Sequence, residues 1–183
     1  MDADGRAQGD AALVALAREG YSGAFEELVR RHQTRAHTLA VRMLGDRHEA
    51  ADVVQEAFVK AWTGLPRFDD RAAFSTWLYR IVVRESIDHQ RRRARRPLPV
   101  EEDVDRPAND RTDVLVEQRV REDALRRAVR ALPEEQRAAL VLTAFMDLEH
   151  AEAAEVLETT PDAVRGRAAR ARRALMREMG EWA

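Results

Sequence analysis

The sequence predicts an all-α protein: two small helical domains joined by an acidic, flexible linker, the second domain ending in a helix-turn-helix. Three observations carry this reading. Apolar residues recur every three or four positions through most of the chain, the period of one helix face. Hydrophobic residues make up 45% of the 183 and aromatics only 5%, with alanine and arginine abundant, a balance that favours helix over sheet. Between residues 97 and 113 the periodicity stops, and Pro97, Pro99 and Pro107 stand among acids.

The first domain spans 10–96, behind a small, polar N-terminal stretch that reads as a frayed tail. A short helix from Asp10 to Arg18 carries Leu13, Val14, Leu16 and Ala17 and stops near Gly20. Ser22, helped by Glu26, is placed to cap a longer helix. Its inward face is Phe25, Leu28, Val29, His32, Ala36, Leu39, Ala40 and Met43, and Gly45 closes it in a left-handed C-cap. Asp46 starts the next helix, 47–63, whose apolar face is Ala50, Val53, Val54, Ala57, Phe58, Ala61 and Trp62, before Gly64 and Pro66 break it. After a loop, a third long helix holds Phe74, Trp77, Leu78, Ile81, Val82 and Ile87 and runs out into the basic stretch Arg91, Arg92, Arg93, Arg95 and Arg96.

The linker is 97–113. From 101 to 123 nine acids stand against four arginines, which reads as a solvated spacer or, more sharply, as an acidic strap that screens a basic groove. The second domain spans 114–179. A helix from Val114 to Leu132 is followed by another that Pro133 opens at its first position, with Glu134 and Glu135 favoured there by the dipole. From Leu148 to Met176 two shorter helices are joined by a tight turn. Thr160 caps the second and Pro161 begins it. Val164, Ala168, Ala171 and Leu175 form its apolar stripe, while Asp162, Gly166, Ala169, Arg170 and Arg173 fall on the opposite face. From 161 to 177 six arginines oppose Asp162 alone, the charge pattern of a helix that enters a DNA groove.

Several classes of function find no support. The net charge is −2, so bulk charge does not announce a nucleic-acid binder, and the absence of cysteine removes disulfides and thiolate chemistry. No apolar run approaches membrane-spanning length and the N-terminus lacks the form of a signal peptide, so a cytoplasmic protein without membrane insertion is expected. Asp46, Glu49, Asp52 and Glu56 sit at helical spacings that would suit a metal or acid–base cluster. No phosphate loop, histidine pair or nucleophile accompanies them, and no catalytic residue, metal site or cofactor is assigned. Phe74 and Trp77, beside Tyr79 and Arg80, suit either a core or a platform for unpaired bases.

At these residues the chain resembles the extracytoplasmic-function group of bacterial sigma factors. The stretches GDRHEAADVVQEAFVKAW, RFDDRAAFSTWLYRIVVRESIDHQRRR and ALPEEQRAALVL, with the helix-turn-helix, carry the resemblance over nearly the whole chain. It implies that the first domain binds core RNA polymerase through Asp52, Gln55 and Glu56. It implies that Phe68, Asp69, Asp70 and Arg71, with Trp77, Arg80, Arg84 and Asp88, recognise and open the minus-ten element. In the second domain it implies that Arg165, Gly166, Ala169, Arg170 and Arg173 meet the minus-thirty-five element. Core polymerase, promoter DNA and an anti-sigma factor are the partners it implies. The chain departs from the pattern at Glu158, where the turn usually has glycine, at Gly166 and Ala169, where larger side chains are usual, and at Arg84, where asparagine is common. The rival readings are a stand-alone helix-turn-helix regulator and a carboxylate-dependent nuclease.

Overall fold

The computed structural model describes residues 3–95 and 123–180, and among them every regular element is helical. The predicted linker 97–113 and the start of the helix predicted from Val114 lie outside the described residues. The helices are α1 (Ala3–Arg18), α2 (Ser22–Leu44), α3 (Arg47–Gly64), α4 (Phe74–Arg95), α5 (123–131), α6 (Glu134–Leu140), α7 (His150–Leu157) and α8 (Pro161–Gly180). A 3₁₀ turn at Leu65–Arg67 follows α3, and a wide π turn at Val141–Phe145 prolongs α6.

Local signals placed several boundaries well. Gly45 adopts φ 74° and its N–H returns to the Val41 carbonyl at 2.7 Å. The Asp46 carboxylate accepts the N–H groups of His48 and Glu49 at 2.7 and 3.0 Å, satisfying two of the orphan donors of α3. Thr160 Oγ1 accepts the Ala163 N–H at 3.2 Å, and Pro161 is the first residue of α8. Three expectations need correction. The first helix begins at Ala3, two turns before Asp10, since alanine, arginine and glutamine there are good helix formers. Ser22 is already inside α2, and Tyr21 occupies the cap position without a side-chain bond. Pro133 precedes α6 in an extended conformation, and the helix begins at Glu134.

Helices α1 to α4 pack around Leu28, Leu39, Met43, Leu44, Leu65, Leu78 and Val82, each at most 1% exposed. Burial of that completeness is worth about 1.5–3 kcal/mol per side chain. His32 is nearly buried on α2, as its place on an apolar face suggested, and its Nε2 lies 2.7 Å from Oδ2 of the equally buried Asp10. Lys60 Nζ lies 2.6 Å from the buried Glu85 carboxylate, which raises the lysine pKa.

The two halves share one apolar cluster: Ala138, Val141, Leu142, Met146, Ala153, Ala154 and Val164 of the second are continuous with the core of the first. Contacts between α4 and α7, and between α2 and the π turn, make the junction. Arg35 donates to the Met146 carbonyl at 3.1 Å, and the Arg42 guanidinium lies 4.8 Å from the Phe145 ring centre. α8 closes the second half by packing on α6 and α7 through Val164, Ala168 and Ala171.

Candidate nucleic-acid interface

α8 presents the surface its sequence predicts. With Val164, Ala168 and Ala171 inward, Arg165, Arg170 and Arg173 are exposed and Gly166 and Ala169 lie between them, half-buried. Arg165 pairs with Asp162 one turn earlier at 2.8 Å, and Arg167 leans back to Glu135 at 2.9 Å. Among the described residues Arg170, Arg172, Arg173 and Arg177 have no acidic partner, so their guanidinium forks are available to phosphate or to a guanine edge. The turn before α8 solves its missing glycine directly. Glu158 itself takes the left-handed conformation, φ 49° and ψ 49°, and its N–H meets the Glu155 carbonyl at 3.4 Å.

The segment from Leu65 to Arg71 divides into inward and outward residues. Phe68 is 8% exposed, stacked on Trp77 at 4.8 Å between ring centres and edge-on to Phe74 at 6.3 Å. These aromatics are therefore part of the core, with Trp77 only half-buried at its rim. Asp69 and Arg71 point outward; the Asp69 carboxylate accepts the Arg71 N–H at 3.2 Å. Asp70 sits at φ 58°, and its carboxylate is 2.7 Å from Nη1 of Arg18 on α1. The sequence reading missed Arg18. An arginine in the last turn before a glycine looks like an ordinary dipole partner, and its contacts lie about fifty residues away.

Arg80 and Arg84 extend the same face of α4, and both are occupied from the second half of the molecule. Arg80 Nη2 donates to the Glu155 carbonyl at 2.8 Å, and Nη1 is 3.3 Å from Glu158 Oε1. Arg84 pairs with the other oxygen of the same Glu158. Further along α4, Arg91 makes a two-toothed contact with Glu134, at 2.6 and 3.1 Å, while Asp88 is exposed. Phe68, Asp69, Arg71, Trp77 and Arg80 face α7 and its turn across a cleft of about 580 Å³.

On the far side of α3 the four carboxylates do separate things. Asp46 caps the helix, Glu49 pairs with Arg93 and lies 3.4 Å from His89, and Glu56 is 3.5 Å from Lys60. Asp52 and Gln55 are exposed with no partner among the described residues. Among the described residues no three His, Cys, Asp or Glu side chains are grouped to hold a metal ion, and no helix is long and apolar enough to cross a membrane. Along one face of α3 the order outward is Asp52, Gln55, Glu56, Val59 and Trp62, all exposed. Val59 and Trp62 are 58% and 42% exposed, which makes this strip unusual for a helix otherwise packed into the core.

The distinctive surfaces are thus an acidic and apolar strip on one helical half, an arginine-lined helix on the other, and aromatic and basic residues between them. Comparison with known proteins gives the family. The sequence signature of Sigma-70 region 2 matches residues 28–96, and that of Sigma-70, region 4, matches residues 122–175. The chain is 39% identical over 171 residues to the ECF RNA polymerase sigma factor SigM of Mycobacterium tuberculosis, covering 93% of this chain and 85% of the relative. It is 35% identical over 176 residues to the RNA polymerase sigma-H factor of Pseudomonas aeruginosa, with 91% of each covered. Among solved structures, that of CnrH in complex with the cytosolic domain of CnrY superposes with a TM-score of 0.71 at 31% identity, covering 94% of this chain and 98% of CnrH. The chain belongs to the extracytoplasmic-function sigma factors of the sigma-70 family. It directs RNA polymerase to promoters, and proteins of this family are not themselves enzymes.

Proposed function

We propose that this sigma factor divides its work between residues 10–96, which bind core polymerase and the minus-ten element, and residues 114–179, which bind the minus-thirty-five element. The observation that carries the polymerase assignment is the exposed strip on α3. Asp52 and Gln55 have no partner among the described residues, and Val59 and Trp62 continue the strip with exposed apolar surface. An interface of that composition suits a helical protein partner with complementary basic groups better than it suits DNA. For the minus-thirty-five element, Arg170 and Arg173, without acidic partners among the described residues, beside the bare Gly166 and Ala169 allow a close approach to the groove, with arginine as the main reader. For the minus-ten element, Asp69 and Arg71 at the outer edge of the loop, with Arg80, Arg84 and Asp88 along α4, form the single-strand track.

The factor acts in the cytoplasm, where its polymerase is, and an anti-sigma factor is its expected negative regulator. CnrH, which resembles this chain over nearly its full length, is seen in complex with the cytosolic domain of CnrY, so this fold accommodates a regulatory protein partner. The direct test adds the purified protein to core polymerase and a promoter library and sequences the transcripts. Initiation that depends on the added protein is expected. Asp52→Arg with Glu56→Arg should lower core affinity at least tenfold with an unchanged circular-dichroism spectrum; wild-type affinity in that variant would move the polymerase contact elsewhere.

A further inference from the structure

We propose that Arg18 is a positioning residue for minus-ten recognition: from the end of α1 it holds the loop after α3 in the one shape that presents Asp69 and Arg71 to the unpaired strand. The proposal rests on the assignment of that loop to the minus-ten strand. Its own support is the geometry of one side chain. The loop leaves α3 through a single 3₁₀ turn, so its carbonyls lack the continuous ladder of an α-helix and need other donors. Arg18 supplies them in three directions. Its Nε donates to the Leu65 carbonyl at 3.1 Å, Nη2 donates to the Phe68 carbonyl, and Nη1 meets the Asp70 carboxylate at 2.7 Å. The guanidinium also lies 5.7 Å from the centre of the Phe68 ring.

The consequence is a change of role within the loop. Asp70 stays exposed, but its carboxylate is turned back to Arg18, and its positive φ of 58° reverses the chain there. Aspartate is among the side chains that tolerate the left-handed region, and the ion pair with Arg18 fixes it there. Asp70 and Phe68 are therefore anchors, and Asp69 and Arg71, held outward beside them, are left as the readers. The planar fork of arginine suits this task because its donors diverge in fixed directions, whereas lysine offers one compact charge. Arg18 is itself 27% exposed, so a direct contact between Arg18 and a DNA phosphate is the competing account. The two differ in what they do to sequence preference and to salt dependence.

The experiment uses holoenzyme carrying full-length Arg18→Gln, Arg18→Lys, Asp69→Ala or Arg71→Ala, transcribing a promoter library randomised through the minus-ten region, with transcripts sequenced. Arg18→Gln keeps the aliphatic stem and is the variant expected to fold; its melting temperature and core affinity are measured alongside. The expected result is a fall of roughly tenfold in base preference at the positions that Asp69→Ala or Arg71→Ala also flattens. Arg18→Lys should be equally impaired, and the salt slope of promoter binding should stay as in wild type. Flattening by Asp69→Ala or Arg71→Ala but not by Arg18→Gln would overturn the role of Arg18 and leave the loop assignment standing. Flattening by none of the four would overturn the loop assignment and the proposal with it. Uniform weakening at every promoter, a salt slope lower by about one, and rescue by lysine would make Arg18 a phosphate contact and overturn positioning.

Discussion

Asp46 shows how much one side chain does at a helix start. Its carboxylate accepts two backbone N–H groups, and the bond from Glu49, followed by that from His48, holds its pKa below the usual carboxylate value. Because the folded-state pKa is depressed, the stabilisation is present above the unfolded value near 3.8 and is lost as acid takes the group through its lowered folded value. Asp46→Ala should cost about 1 kcal/mol at neutral pH. The cost should shrink below the unfolded pKa and vanish once the native carboxyl is protonated, as urea titrations at neutral pH and at successively lower pH would show. Glu27, brought down to about 2 by Arg30 and then by Arg31, is part-exposed on the α2 surface, and its removal should change stability little. The difference between the two lies in what each bonds: one satisfies the backbone, the other a mobile side chain.

At the scale of elements, α8 combines a readable apolar stripe with an unusual outer face. Gly166 lies in the helix interior, where glycine costs about 1 kcal/mol relative to alanine. A Cβ there would meet Arg170 Nη1 at 3.5 Å, an ordinary contact. Gly166→Ala should therefore raise the melting temperature by about 2–4 °C. If close backbone approach at this point matters, the same change should weaken minus-thirty-five binding, readable by band shift on holoenzyme. Arg165→Ala with Arg170→Ala should lower promoter binding through lost fork contacts, worth about 1–3 kcal/mol per guanine contact, while core affinity is retained. These elements were legible in the sequence because their causes are local: the glycine after α2, the aspartate before α3, the threonine before α8 and the proline that opens it each act within one turn. Ser22 and Pro133 were misplaced by a single position because several residues there compete for the same cap. The loop after α3 was legible as a candidate site, but its division into anchors and readers was not. That division depends on Arg18, whose partners carry no periodic mark. Nor was the joining of the two halves, an apolar seam with Arg80 and Arg84 meeting Glu158 more than seventy residues away.

For the whole molecule, the most consequential contact is that of Glu158 with α4. It is an acid where the turn favours glycine, it takes a left-handed backbone at a cost of about 1–2 kcal/mol, and it pairs with Arg80 and Arg84. On the assignment of these arginines to minus-ten DNA, the closed packing and DNA engagement exclude each other, since both require the same guanidinium groups. Exposed pairs of this kind contribute only about 0–1 kcal/mol, so the shared apolar cluster provides most of the attachment between the halves. Glu158→Gly should relieve the backbone and remove the pairs together. The expected outcome is an unchanged or higher melting temperature with a larger radius of gyration by solution scattering and tighter binding to core polymerase. A radius identical to wild type would assign the closed state entirely to the apolar seam.

On the assignment of Arg80 and Arg84 to minus-ten DNA, and because both meet Glu158 in the closed form, ionic strength should act on two successive steps with opposite signs. Moderate salt screens the pairs to Glu158 and so should ease the release of these two arginines. The later transfer of the same arginines to phosphate releases counterions from DNA and is opposed by salt. Transcription initiated from free factor and core polymerase should therefore pass through an optimum as salt is raised, whereas initiation from preassembled holoenzyme should only decline.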